Sequence, residues 1–185
     1  MDDLPQSSDR TLNRSVARTV MILSVFMGLS HIKDDNLVQA MQLARSDAVD
    51  TWAEYQASRT KLRVAQTARI EMALIAATQP SRSAQTALHD IDAQIAKYTG
   101  EAPRLRHAAR ADETRYDALN IHDDQFDLSD ALISIAVSLA AVAALAESRP
   151  LLGVCWAAGA VGILFGIAGF AGWSLHPNSL AALLS

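Results

Sequence analysis

The chain has 185 residues, a formal net charge of −4, and a composition that is half hydrophobic. Its single cysteine, Cys155, excludes an internal disulfide and a cysteine-rich zinc site, and no Lys/Arg cluster interleaved with aromatics points to nucleic acid. The apolar residues concentrate at 16–32 and 128–175 and most of the charge lies between, which is how a polar domain set between membrane segments is distributed.

The first apolar element, 16–32, has the core "VMILSVFMGL" preceded by Arg10, Arg14 and Arg18. A signal peptide has the same outline, but no Ala-x-Ala follows; the next residues are "SHIKDD". The segment reads as an uncleaved transmembrane helix after a cytoplasmic tail, 1–15, with Arg18 snorkelling to the interface.

From residue 36 to 78 there is neither Gly nor Pro. That predicts one helix of roughly 43 residues, ~65 Å long. It carries Asp50-x-Trp52-Ala53-x-Tyr55-Gln56 and then Lys61. Trp52 lies roughly 20 residues beyond Ile32, so ~30 Å along the helix and too far for an interfacial aromatic belt. Two readings stand for Trp52 and Tyr55. Either they pack against the returning helix near Ala108, Ala109 and Ala111, or with Gln56 they form an exposed binding patch.

"TQPSRS" ends that helix, with Pro80 as the breaker and Ser81 or Ser83 as the next cap. The return half has a seam spaced alternately by four and three, apolar but for the intrusion of Asp112: Ala84, Leu88, Ile91, Ile95, Tyr98, Ala102, Leu105, Ala109, Asp112, Tyr116 and Leu119. "TGEAP" predicts an interruption, with Gly100 closing one helix and Pro103 opening another. Two shorter helices, 82–98 and 102–121, are then expected in line against the long one. Residues 33–127 thus make an antiparallel, coiled-coil-like hairpin outside the membrane.

The second span, 128–146, follows Asp127, which with Asp130 reads as a cap and first-turn acid. Ser134 and Ser138 lie one turn apart and can bond within the helix or across it. "ESRP" is a short link, and Pro150 suits the first turn of the next helix. The third span, 151–175, contains no charge; a short tail, 176–185, follows. Gly159, Gly162, Gly166 and Gly169 form a small-residue seam, either for packing within the monomer or for self-association. The fold class expected is an all-α membrane protein: three transmembrane helices, with the long hairpin inserted between the first and second.

Arg10, Arg14, Arg18 and Arg149 fall on one side of such a membrane, against Lys33 amid acids on the other. The positive-inside rule then puts the N-terminus in the cytoplasm and the hairpin in the periplasm of a bacterial inner membrane.

The sequence shows no catalytic constellation. The five His residues share no ligand spacing, and there is no phosphate loop or nucleophile elbow. No cofactor, metal or small-molecule substrate is implied. The one concentration of acid is Asp34, Asp35, Asp123, Asp124, Asp127 and Asp130, flanking the spans. It reads as solvated helix-terminal acids, with a Ca²⁺ or Mg²⁺ site as the alternative. The expected function is non-enzymatic: a membrane-anchored hairpin that self-assembles or scaffolds partners in the lipid bilayer. Alternatives are an accessory subunit of a larger membrane complex and, on Asp130 alone, an ion-conducting or transporting oligomer.

Three stretches carry a resemblance. Asp50-x-Trp52-Ala53-x-Tyr55-Gln56-Ala57 with Lys61, "HDDQFDLSDAL" from His122 to Leu132, and Gly169-Phe170 resemble a bacterial membrane-protein family catalogued only as a domain of unknown function. The resemblance runs over 16–172. It implies one N-terminal span, a helical coiled-coil segment and a C-terminal pair of spans, and it brings no activity. Ser58 stands where the family pattern leads one to expect a basic residue, and Asp130 where it leads one to expect Glu.

Overall fold

The computed structural model describes residues 5–173. They form three helices, α1 (Pro5–Thr78), α2 (Arg82–Leu145) and α3 (Arg149–Ala171), with no strand among the described residues. Each helix contains a stretch long and apolar enough to cross a membrane. The end of the third predicted span, His176 and the 176–185 tail lie outside the described residues, as do residues 1–4.

The helices are longer than the sequence punctuation suggests. The first span and the outgoing arm are one element, α1, because no proline falls between Pro5 and Pro80. The return arm and the second span are likewise one element, α2, which passes through both Gly100 and Pro103. The predicted interruption at "TGEAP" is absent. A mid-helix Gly costs only about 1 kcal/mol. Pro103 costs about 3 kcal/mol, which packing on either side, at Tyr98, Ala102 and Leu105, must outweigh. Asp127 therefore sits inside a helix and caps nothing.

The chain divides into two compact units, residues 42–116 and the remainder. In 42–116, α1 and α2 run antiparallel. Thr51 Oγ1 donates to Asp112 Oδ2 at 3.1 Å, and Arg69 pairs with Asp92. Ser81 Oγ accepts from the Ala84 N–H at 3.1 Å, capping α2. The return seam from Ala84 to Tyr116 is buried or half-buried at every position. The facing seam on α1 has the same alternation of four and three but is made of Ala44, Ala48, Thr51, Tyr55, Ser58, Leu62 and Ala65. Six large apolar residues of α1 in this unit stay exposed instead: Leu43, Val49, Val64, Ile70, Leu74 and Ile75.

In the other unit, three helices share a core of Leu12, Val16 and Leu23 from α1, Ile133, Ala136, Ala140 and Ala143 from α2, and Leu152 and Cys155 from α3. Alanine and glycine line the contact between α2 and α3, beside these larger core residues, while Met21, Ile22, Val25, Leu29, Ile135, Val142 and Leu164 face outward. The glycine row of α3 permits this close approach. A Cβ on Gly162 would lie 2.8 Å from Ile133 Cγ1, and one on Gly166 would lie 2.6 Å from the Phe26 ring. Gly159 faces Leu23 and Gly169 faces Phe126. The whole row is occupied by helices of the same chain. The link between α2 and α3 turns through Glu147 at φ 51°, and α3 ends at Gly172 at φ 68°.

Candidate functional site

Two places carry the polar residues singled out from sequence. The first is the Trp52 stretch in 42–116. Trp52 is half-buried, and its Nε1 donates to Glu113 Oε1 at 2.8 Å. Of the alanines expected to receive the indole, Ala109 is fully buried in the seam and Ala108 is exposed. The ring is edge-on to Tyr55 at 5.4 Å between centroids. Tyr55 carries the Arg59 guanidinium 5.8 Å from its ring centroid, and Lys61 Nζ lies 5.9 Å from the ring centroid of Tyr98. Asp50 and Gln56 are exposed.

The second place is the acidic cluster, and here α1 and α2 do bring residues together. His31 Nε2 lies 3.1 Å from Asp130 Oδ2. Asp34, one turn beyond Ser30 on α1, feels the charges of Asp123, Asp127 and Asp130 on α2. Four oxygens in this region are buried and without a hydrogen-bond partner: Ser30 Oγ, Asp34 Oδ1, Ser129 Oγ and Asp130 Oδ1. Ser30 is 1% exposed and Ser129 is fully buried, neither of which the sequence singled out. Burial, then repulsion from Asp123, Asp127, Asp130 and Asp35, raises the Asp34 pKa from its ordinary 3.8 to about 6. Asp123 is pushed up as well, by burial first and then by Asp127 and Asp124. Among the described residues, no three His, Cys, Asp or Glu side chains are placed to hold a metal ion. What this arrangement does chemically is raise the pH at which the Asp34 carboxyl gives up its proton. Asp35, Asp124 and Asp127 remain exposed.

Beside this cluster two of the sequence stretches meet. Phe126, 1% exposed, packs edge-on against Phe170 at 5.2 Å, and Phe26 is also edge-on to Phe170 at 6.4 Å. Gln125, fully buried, donates from Nε2 to the Trp173 carbonyl at 2.7 Å. So "HDDQFDLSDAL" and the end of α3 form one packed joint.

Residues 12–172 match the domain of unknown function DUF4337. The chain belongs to that family. No curated protein and no solved structure matches it. The DUF4337 match takes in the Trp52 stretch, the acidic cluster and the Phe126–Phe170 joint. Sequence reasoning missed the contacts of Trp156, whose Nε1 donates to Thr19 Oγ1 at 2.9 Å and ties α3 to α1. A Trp within an apolar run gives no sign of which neighbour its N–H will reach.

Proposed function

We propose that this DUF4337 chain is a multi-pass membrane protein whose helical hairpin docks other chains. The N-terminal part of α1, the C-terminal part of α2, and α3 cross the bilayer. The observation that carries this reading is the set of large apolar residues left outside the core of that unit. Met21, Val25, Leu29, Ile135 and Leu164 are more than half exposed. In water such a surface would be a large aggregation liability; in lipid it is the ordinary lipid-facing side. The arginine distribution supports a cytoplasmic N-terminus and a periplasmic hairpin in a bacterial inner membrane.

The docking role rests on the outer side of α1 in 42–116. Leu43, Val49, Val64, Ile70, Leu74 and Ile75 are more than half exposed there, and no large hydrophobic of α2 in this unit is. These side chains, set among exposed polar ones, offer apolar contacts to a further helix. Self-assembly or scaffolding, without an enzymatic step, is the function this supports best. An accessory subunit of a larger complex is the second reading; because the glycine row of α3 is filled from within, a partner in the membrane docks elsewhere in either case.

Orientation is tested with Ser81→Cys in a Cys155→Ala background. An impermeant thiol reagent should label the turn on intact spheroplasts. Labelling only after lysis reverses the orientation. Purification in mild detergent then separates the two functional readings: identical copies support self-assembly, and unrelated chains support the accessory role.

A further inference from the structure

A groove of about 440 Å³ lies along the hairpin in 42–116. Tyr55 and Arg59 of α1 line one side, and Pro103, Arg106, His107 and Arg110 of α2 line the other. Its size falls within the range of small-molecule sites. An adjoining groove continues past Arg59 to Gln56 and Arg63.

The charge here is lopsided. Over 56–63 and 99–110 the chain places Arg59, Lys61, Arg63, Arg104, Arg106 and Arg110 against one acid, Glu101. The whole protein is net acidic, so this excess is local. Among the described residues, the ion pair in this unit is Arg69–Asp92, well away from the groove in sequence. Arg59, Arg106 and Arg110 line it with no carboxylate partner among the described residues. Arg106 and Arg110 are one helical turn apart, so their side chains project from the same face of α2. Guanidinium groups that outnumber the acids around them repel one another, and an anion in the groove relieves that. A guanidinium also presents a donor fork that fits two oxygens of a phosphate or carboxylate.

Tyr55 and Pro103 give the groove an apolar wall. Arg59 Nη1 lies 3.4 Å from the Tyr55 phenol oxygen, which puts the guanidinium beside that wall.

We infer that this groove binds a small organic anion, a phosphorylated or carboxylated molecule with a flat apolar part. Arg59, Arg106 and Arg110 hold the anionic oxygens, and the apolar part lies on Tyr55 and Pro103. A nucleic acid strand needs a longer run of stacking aromatics than this groove offers.

The test is calorimetric titration of the full chain in mild detergent. Phenyl phosphate and phthalate probe the two anion chemistries with a ring attached, and inorganic phosphate and acetate probe them without one. At least one aromatic anion should saturate with a Kd below about 1 mM, several-fold tighter than its inorganic or acetate counterpart. Arg106→Gln combined with Arg110→Gln should weaken it about tenfold or more. Arg106→Lys keeps the charge, loses the fork and should fall between. Arg82→Gln, at the turn, should change nothing. Circular dichroism checks that each variant is folded. Absence of saturation by every probe overturns the inference, as does equal binding of the ringless anions or unchanged binding in the folded double variant. Binding of polyglutamate without any small anion overturns it as well and makes the patch a surface for an acidic polypeptide.

Discussion

Trp52 Nε1 donates to Glu113 Oε1 across the hairpin at 2.8 Å, with Tyr55 edge-on to the indole. The bond fixes the register at which the two arms meet, one residue on from the Thr51–Asp112 hydrogen bond. The indole is half-buried, so its removal costs less than the 3–5 kcal/mol typical of a fully buried aromatic. Trp52→Ala should destabilise by about 1–2 kcal/mol in thermal or denaturant unfolding. A double-mutant cycle with Glu113→Ala should show coupling of about 0.5–1.5 kcal/mol. Zero coupling would mean that the bond does not hold the register.

The two arms of this hairpin were not equally legible. The return seam could be read position by position because Leu88, Ile91, Ile95, Tyr98 and Leu105 are large and regularly spaced. The outgoing seam was hidden. Its inner positions are Ala44, Ala48, Thr51 and Ser58, while Val64, Ile70 and Leu74 face out, so hydrophobic periodicity points to the wrong side. Gly100 and Pro103 suggested a break because local propensity is visible in sequence and the packing that overrides it is not. The acidic cluster was legible as composition. The meeting of Asp34 with Asp123 and Asp127, and the buried hydroxyls of Ser30 and Ser129, needed the pairing of α1 with α2.

Asp34 gives the stability a pH dependence. Its pKa is raised from 3.8 to about 6 in the folded chain, so the folded state holds the proton more tightly than the unfolded state. The contribution to stability is therefore fully present below about pH 4 and is lost as the pH rises through about 6. The groups that face Asp34 are Asp123, Asp127, Asp130 and its neighbour Asp35, with His31 paired to Asp130. Asp34→Asn removes the ionisable group. It should stabilise the protein at pH 7.5 by about 1 kcal/mol after solvent screening, and much less at pH 4.5. Thermal unfolding in detergent at the two pH values checks this, and an equal effect at both would exclude Asp34 as the titrating group.

The glycine row predicts a contrast within α3. A Cβ on Gly166 would stand 2.6 Å and 2.7 Å from Phe26 ring atoms and 2.8 Å from Ser129 Oγ, whereas one on Gly153 meets nothing within 4 Å. Gly166→Ala should destabilise by about 1–3 kcal/mol through overpacking. Gly153→Ala should be neutral or stabilising by up to about 1 kcal/mol, the ordinary helix-propensity gain. Comparable effects in unfolding experiments would remove the argument that α3 packs by its glycine face.

The exposed side of α1 predicts how the protein assembles. Val64 and Ile70 are 64% and 63% exposed and lie outside the hairpin seam. Val64→Asp with Ile70→Asp should therefore leave the fold of a single chain nearly unchanged, since exposed helical substitutions usually cost within about 0.5 kcal/mol each. In an assembly that buries these residues, two carboxylates would be desolvated without partners, which is far more costly than the apolar contact they replace. The double variant should keep its circular dichroism and unfolding midpoint but lose its partners, whether copies of itself or other chains. Native mass spectrometry from mild detergent reads both: complexes from the parent chain, single chains from the variant. A parent chain that is already single across several mild detergents would defeat the docking proposal. A variant that still assembles would move the contact away from this face of α1.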